Sequence, residues 1–402
     1  MSGYDVFTDK SVSPWRKIAE DRGRCPVEFI HGPDQFDYHR VNSYELVREV
    51  TRRFEDFSNK LGVQPSGAYP EEEQVLEFTD PPVHTLHRQL IGKAFSVARV
   101  NEKLDRIQQI ADDLIDEIAA RGNRFKLRYE FGRLLPAQVI AEVLGVPIEE
   151  RDQFIAWSEV TEHGSGEVKR SAESAAADAA FLDYSRRQLE DRLARPRDDL
   201  LTSIIHAEVG GERLSLTQGA AMVRLLLGAG NGTTSIGISN LVHLLETHPE
   251  AKARLLADME GLLDSAIEEG YRFDCPVQGN LRGTLRDTEI AGQPVKAGEW
   301  VYAFYASANH DPSRYHRPDE FVIDRDWSKA PRHFAFGFGI HFCLGADLAR
   351  AETKIAIRTL YKRLPNLRMR AGFVPEQVAS PTFRTWSELE MEYDGEALPR
   401  LS

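Results

Sequence analysis

Cys343 lies in a glycine-punctuated run, His333-Phe-Ala-Phe336-Gly337-Phe-Gly339-Ile-His341-Phe342-Cys343-Leu-Gly345, and a helical pattern begins directly behind it at Ala346. A thiol in this setting can act as the axial ligand to the metal of a flat macrocycle. Gly337 and Gly339 let the backbone turn sharply and approach such a ring closely, where a Cβ would obstruct. The helix start turns unpaired N–H groups and a positive dipole end toward the sulfur, which favours thiolate over thiol. Phe336 and Phe342 keep the loop dry, and amide hydrogen bonds to sulfur tune its donor strength. A single buried cysteine is usually an inert core residue. Here the whole run fits the ligand role, whereas Cys275 has neither glycine loop nor following helix and reads as a core or pocket-edge residue.

Phe336, Gly339, Cys343 and Gly345 together resemble the haem-binding signature of the cytochrome P450 family, Phe-x-x-Gly-x-x-x-Cys-x-Gly. The resemblance runs from about residue 84 to about residue 384 and is weakest near the N-terminus. It implies heme b (iron protoporphyrin IX) as cofactor, with Cys343 on the iron and Phe336 and Gly345 against the ring. His84 and Arg88, in Val83-His84-Thr-Leu-His87-Arg88, resemble the family's His-Thr-x-x-Arg helix. With Arg282 and His341 they are implied to hold the haem propionates. Glu269 and Arg272 resemble its Glu-x-x-Arg pair, a structural network completed by Arg325 or a neighbour. The same spacing at Glu45/Arg48, Glu130/Arg133 and Glu167/Arg170 reads as solvated i,i+3 ion pairs.

Gly228-Ala229-Gly230-Asn231-Gly232-Thr233-Thr234 resembles the family's oxygen-binding helix motif. Glycines in a helix interior cost about 1 kcal/mol each relative to alanine, and the expected return is a locally widened turn with room for dioxygen and water. The resemblance makes Thr233 the hydroxyl that steadies oxygen and a proton-donating water, with Ala229 and Gly230 beside it. Gly232 departs from the pattern, because relatives usually carry an acid there that relays protons. Asn231, ordered waters or a substrate group is then the expected substitute. The alternative is atypical chemistry: a peroxygenase, coupling or desaturation. A haem-based gas sensor or electron carrier is the non-enzymatic reading.

The elements that must position these residues are mainly α with a smaller β portion, a single cytochrome P450 domain over residues 1–402. Helical periodicity dominates residues 100–195, and a long core helix is expected over 216–246. The Gly164-Ser-Gly166 break separates two helices, Asp80-Pro-Pro starts another, and residues 289–302 read as a hairpin. Leu225, Leu226, Val277, Gln278, Thr385 and Trp386 are expected pocket residues for a mostly apolar substrate. Arg224 reads as half of a structural salt bridge. The net charge of −13 argues against nucleic-acid binding, and the three cysteines suit a reducing, cytoplasmic setting without disulfides. Neither signal peptide nor membrane span is expected. The resemblance implies a monomeric monooxygenase that uses O2. No flavin or dinucleotide motif is present, so electrons are expected from a ferredoxin and ferredoxin reductase, with Arg88, Lys93 and Arg332 as docking cations.

Overall fold

The computed structural model describes residues 3–209 and 211–401. Its helices are α1 (Trp15–Arg24), α2 (Tyr44–Arg52), α3 (Val83–Gly92), α4 (Val97–Asn101), α5 (Leu104–Arg121), α6 (Leu134–Leu144), α7 (Arg151–His163), α8 (Ala172–Ala194), α9 (Leu200–His206), α10 (Leu216–Thr247), α11 (Pro249–Ala257), α12 (Met259–Phe273), α13 (Tyr305–Asn309) and α14 (Ala346–Arg363). Ser215 and Gln218 close a capping box at the start of α10. That helix is apolar on nearly every face, which is the pattern of a helix surrounded by others. It packs against α6, α7, α8, α12 and α14. The break expected after α7 is a short 3-10 turn, Gly164–Gly166, and Ser171 then caps α8.

A five-stranded sheet flanks the helices in the order Val27–His31, Asp37–Val41, Trp300–Ala303, Asn280–Thr284 and Phe57–Ser58. Only the Asp37–Val41 and Trp300–Ala303 strands pair in parallel. Val301 lies opposite Arg282, so the arginine sits within the sheet instead of in a loop. The expected hairpin forms only between Thr288–Ile290 and Gln293–Val295, and Trp300–Ala303 leaves it to join the main sheet. Its side chains pack in the core beside Tyr305 and Phe334. Among the described residues no helix is long and apolar enough to cross a membrane.

The glycines of α10 do not widen it. Residues 228–234 are continuous α-helix, and the Thr233 hydroxyl donates to the Ala229 carbonyl at 2.8 Å. What glycine supplies is close approach. A Cβ on Gly230 would lie 3.0 Å from Ile140 of α6, and one on Gly237 would lie 2.8 Å from Tyr271 of α12.

Candidate functional site

A cavity of about 370 Å³ lies between the cysteine loop and α10. Gly337 and Gly339 hold φ at 68° and 70°, the left-handed region that glycine adopts without strain. Gly337 donates to the Phe334 carbonyl and Cys343 to the Phe336 carbonyl, both at 2.8 Å, which closes the loop and aims the sulfur into the cavity. Gly337 lines that cavity, as expected. Gly339 has a different partner: a Cβ there would lie 2.8 Å from the Thr51 carbonyl at the end of α2. Its role is to let the loop seat on that helix.

The electrostatics of Cys343 differ from the sequence expectation. Burial pushes the thiol pKa up, and the Gly345 N–H and Arg88 pull it back without overcoming burial. The Cys343 side chain is exposed to the open cavity but sits deep in the molecule among apolar neighbours such as Phe336 and Leu348, so desolvation of the thiolate outweighs the helix start. A metal cation is the charge that would reverse this balance.

His84, Arg88, Arg282 and His341 converge on one rim of the cavity. The imidazoles of His84 and His341 pack edge to face, with ring centroids 4.6 Å apart. Their Nε2 atoms are buried without hydrogen-bond partners. His341 is held neutral, its pKa pushed down to about 2 by burial and by Arg282, His84 and Arg88. Two guanidiniums and two partnerless imidazole nitrogens suit two carboxylates, which would satisfy the orphaned atoms and balance the cations. With the thiol beyond them and the Phe336 and Phe342 rings packed edge to face beside it, this donor set fits a haem.

Behind the loop, Arg272 donates to both oxygens of Glu269 at 2.8 Å, and Arg325 donates to the same carboxylate at 2.8 and 3.1 Å. Arg272 also serves the carbonyls of Asn309, Pro318 and Glu320. The expected network is present, with Arg325 as its third member. Of the look-alike spacings, only Glu45/Arg48 pairs internally. Arg133 is buried and pairs with Glu159 and Glu162, while Arg170 pairs with Asp178.

On the opposite wall Leu225, Leu226, Ala229, Gly230, Gly232 and Thr233 line the cavity, together with Val277. Three expected pocket residues do not. Gln278 is buried between Tyr4 and the Ser380 carbonyl, and Trp386 stacks on His243 with centroids 3.9 Å apart. Thr385 precedes Trp386 in a short strand paired with Gln377–Val378, which turns both into the core. Asn231 is also outside the lining; it is buried with its Oδ1 unpartnered. Cys275 is a core residue, its pKa pushed up to about 12 by burial. Arg88 faces the cavity rather than an outer docking surface, whereas Lys93 and Arg332 are exposed.

Two further side chains reach the cavity. Arg224 makes the expected salt bridges, to Glu73 at 2.9 Å and Asp178 at 3.0 Å, but it also lies over the Tyr69 ring at 4.4 Å and faces the cavity. Glu162, at the end of α7, reaches the cavity wall beside Gly232. Gly232 signals a missing side chain in α10, and residues 154–167 read as a pocket segment from the sequence, but nothing in that segment singles out Glu162 as the neighbour of Gly232.

The family model for "Cytochrome P450" matches residues 177–365. The chain is 41% identical to Cytochrome P450 107B1 of Saccharopolyspora erythraea over 381 residues, covering 92% of this chain and 91% of that protein. It is also 41% identical over 376 residues to a vitamin D(3) 25-hydroxylase of Pseudonocardia autotrophica, again covering 92% and 91%. Among solved structures, a cytochrome P450 for C–S bond formation in chuangxinmycin biosynthesis superposes with a TM-score of 0.87 at 32% identity, covering 98% of this chain and 97% of that one.

Proposed function

The chain belongs to the cytochrome P450 family of haem-iron monooxygenases, and from that premise we propose that Cys343 ligates the iron of heme b and that the substrate is a mostly apolar small molecule. When bound, the haem supplies an iron that activates dioxygen, with thiolate donation favouring O–O cleavage. The observation that carries this reading is the Cys343 sulfur opening into a cavity whose rim holds Arg88, Arg282 and the unpartnered Nε2 atoms of His84 and His341.

In this reading the two arginines neutralise the propionates, and His84 and His341 donate to them once their orphaned nitrogens have acceptors. Phe336 and Phe342 exclude water from the sulfur. Thr233, whose hydroxyl rests on the Ala229 carbonyl, is placed to hold a water against α10. Leu225, Leu226 and Val277 present apolar surface to the substrate. Arg224 is already neutralised by Glu73 and Asp178, which argues against an anionic substrate. A hydrophobic polycyclic or long-chain molecule fits this lining, a class to which the substrate in the name of the vitamin D(3) 25-hydroxylase belongs.

Electrons come from separate donors, which we take to be a ferredoxin and its reductase. Lys93 and Arg332 supply positive charge near the cysteine loop, Arg332 lying 3.7 Å over the Phe342 ring. A screen of sterols, terpenoids, fatty acids and aromatics for type I spectral shifts, followed by turnover with a surrogate ferredoxin system, tests the reading. It predicts oxidised product from an apolar binder. Product from peroxide alone, with none from the donor system, would contradict it.

A further inference from the structure

Gly232 leaves a notch in α10, and the notch is filled. A Cβ built on Gly232 would lie 1.7 Å from Glu162 Oε1 and 2.7 Å from its carboxyl carbon. The carboxyl of an α7 residue therefore occupies the volume where a side chain at 232 would begin, one residue from Thr233. The other acids around the cavity are paired or lie elsewhere on its wall, Glu352 with its Oε2 unpartnered. Glu73 and Asp178 pair with Arg224, Glu77 lies by Arg282, and Glu352 belongs to the helix behind Cys343.

We propose that Glu162 is the proton relay of this enzyme, acting through Thr233 and supplying from α7 the acid that α10 lacks. The proposal rests on the monooxygenase reading above. In each transfer the O–H bond of the Glu162 carboxyl breaks and its proton passes to a water or to the Thr233 hydroxyl, and that acceptor releases one of its own protons onward into the cavity. The carboxylate is then reprotonated from solvent, while electrons arrive only from the external donor.

The surroundings suit a group that both holds and releases a proton. Arg128 approaches Glu162 at 3.3 Å and Arg133 at 3.5 Å, contacts too long to fix the carboxylate rigidly. Burial raises the Glu162 pKa, opposed by Arg133, Arg128 and His163 and assisted by Glu159. The way out is short. His163, the next residue, is exposed, and Glu159 one turn earlier contacts both Arg133 and the exposed Tyr129 hydroxyl. An acid beside Thr233 also removes the ground for expecting peroxide-driven chemistry from Gly232.

The test uses the haem-loaded protein with a surrogate ferredoxin and reductase, without organic substrate, in wild type, E162Q, G232A, G232A/E162Q and E162A/G232D. Peroxide released per dioxygen consumed and the solvent deuterium isotope effect are measured. E162Q is expected to slow the proton-dependent step by about tenfold or more, with peroxide release and the isotope effect both rising. G232A, which evicts the carboxyl without removing it, should reproduce E162Q, and the double variant should add nothing. E162A/G232D should return peroxide release and the isotope effect toward the wild-type values. Infrared spectra of the resting protein give a readout independent of turnover: a protonated-carboxyl band lost in E162Q and shifted in G232A. Unchanged peroxide and isotope effect in E162Q would overturn the relay, as would a carboxyl band indifferent to both substitutions. Failure of the underlying reading looks different: the reduced-CO spectrum of wild type itself would lack the thiolate band.

Discussion

Arg88 donates to the carbonyl of Phe342 at 2.6 Å, which ties α3 to the residue immediately before Cys343. One guanidinium thus serves two ends of the cavity, fixing the cysteine loop with one nitrogen and leaving positive charge on the rim.

Removing it should loosen haem retention from both ends. A hydrogen bond to a charged group is worth about 1.5–3 kcal/mol, so R88A is expected to lose haem to an excess apo-globin acceptor roughly ten- to a hundredfold faster than wild type. R88K keeps the charge but not the forked donor geometry and should fall between. Equal loss rates for all three would show that Arg88 contributes to neither task.

Glu269 is wholly buried with two arginines on its carboxylate, so deleting it strands both charges. E269A should destabilise the protein by about 3–5 kcal/mol, read from denaturant melts. E45A removes an exposed partner of both Arg48 and Arg314 and should cost no more than about 1 kcal/mol. Similar costs for the two would contradict the structural role of the Glu269 network.

Glu268 sets an acid limit on stability. Burial raises its pKa, but hydrogen bonds from His333 and Arg350 hold it down to about 2 against an ordinary 4.5. Burial lowers the His333 pKa against the opposing pull of Glu268, while Arg350 brings a permanent charge to that carboxylate. The folded state thus binds the Glu268 proton less readily than the unfolded chain. The stabilisation is complete above about pH 4.5 and is lost as pH falls toward 2. Melts across that range should decline less steeply in E268Q than in wild type. Parallel declines would assign the acid limit to other groups.

The cysteine loop was legible because its chemistry is local: glycines at positive φ, a thiol and a helix start lie within a dozen residues. His84, Arg88 and Arg282 were found only through family resemblance, since they come from a helix and a sheet strand distant in sequence. The pocket assignments divided on the same principle. Leu226 and Ala229 follow from helical phase against Thr233, whereas Gln278, in the loop before the Asn280–Thr284 strand, and Thr385 and Trp386, in a short strand, take their facing from partners far along the chain. Glycines at 228, 230 and 232 suggest a widened helix, but Gly230 and Gly232 instead accommodate Ile140 and Glu162, as Gly237 further along accommodates Tyr271. A glycine records that something comes close and carries no record of what.

The central claim is a thiolate from Cys343 on the haem iron. It is tested most directly by the absorption spectrum of the dithionite-reduced protein under carbon monoxide, for wild type beside C343A. The account predicts the strongly red-shifted Soret band of a thiolate-ligated haem in wild type and its complete absence in C343A. An unshifted band in wild type, or a red-shifted band that survives in C343A, would contradict it.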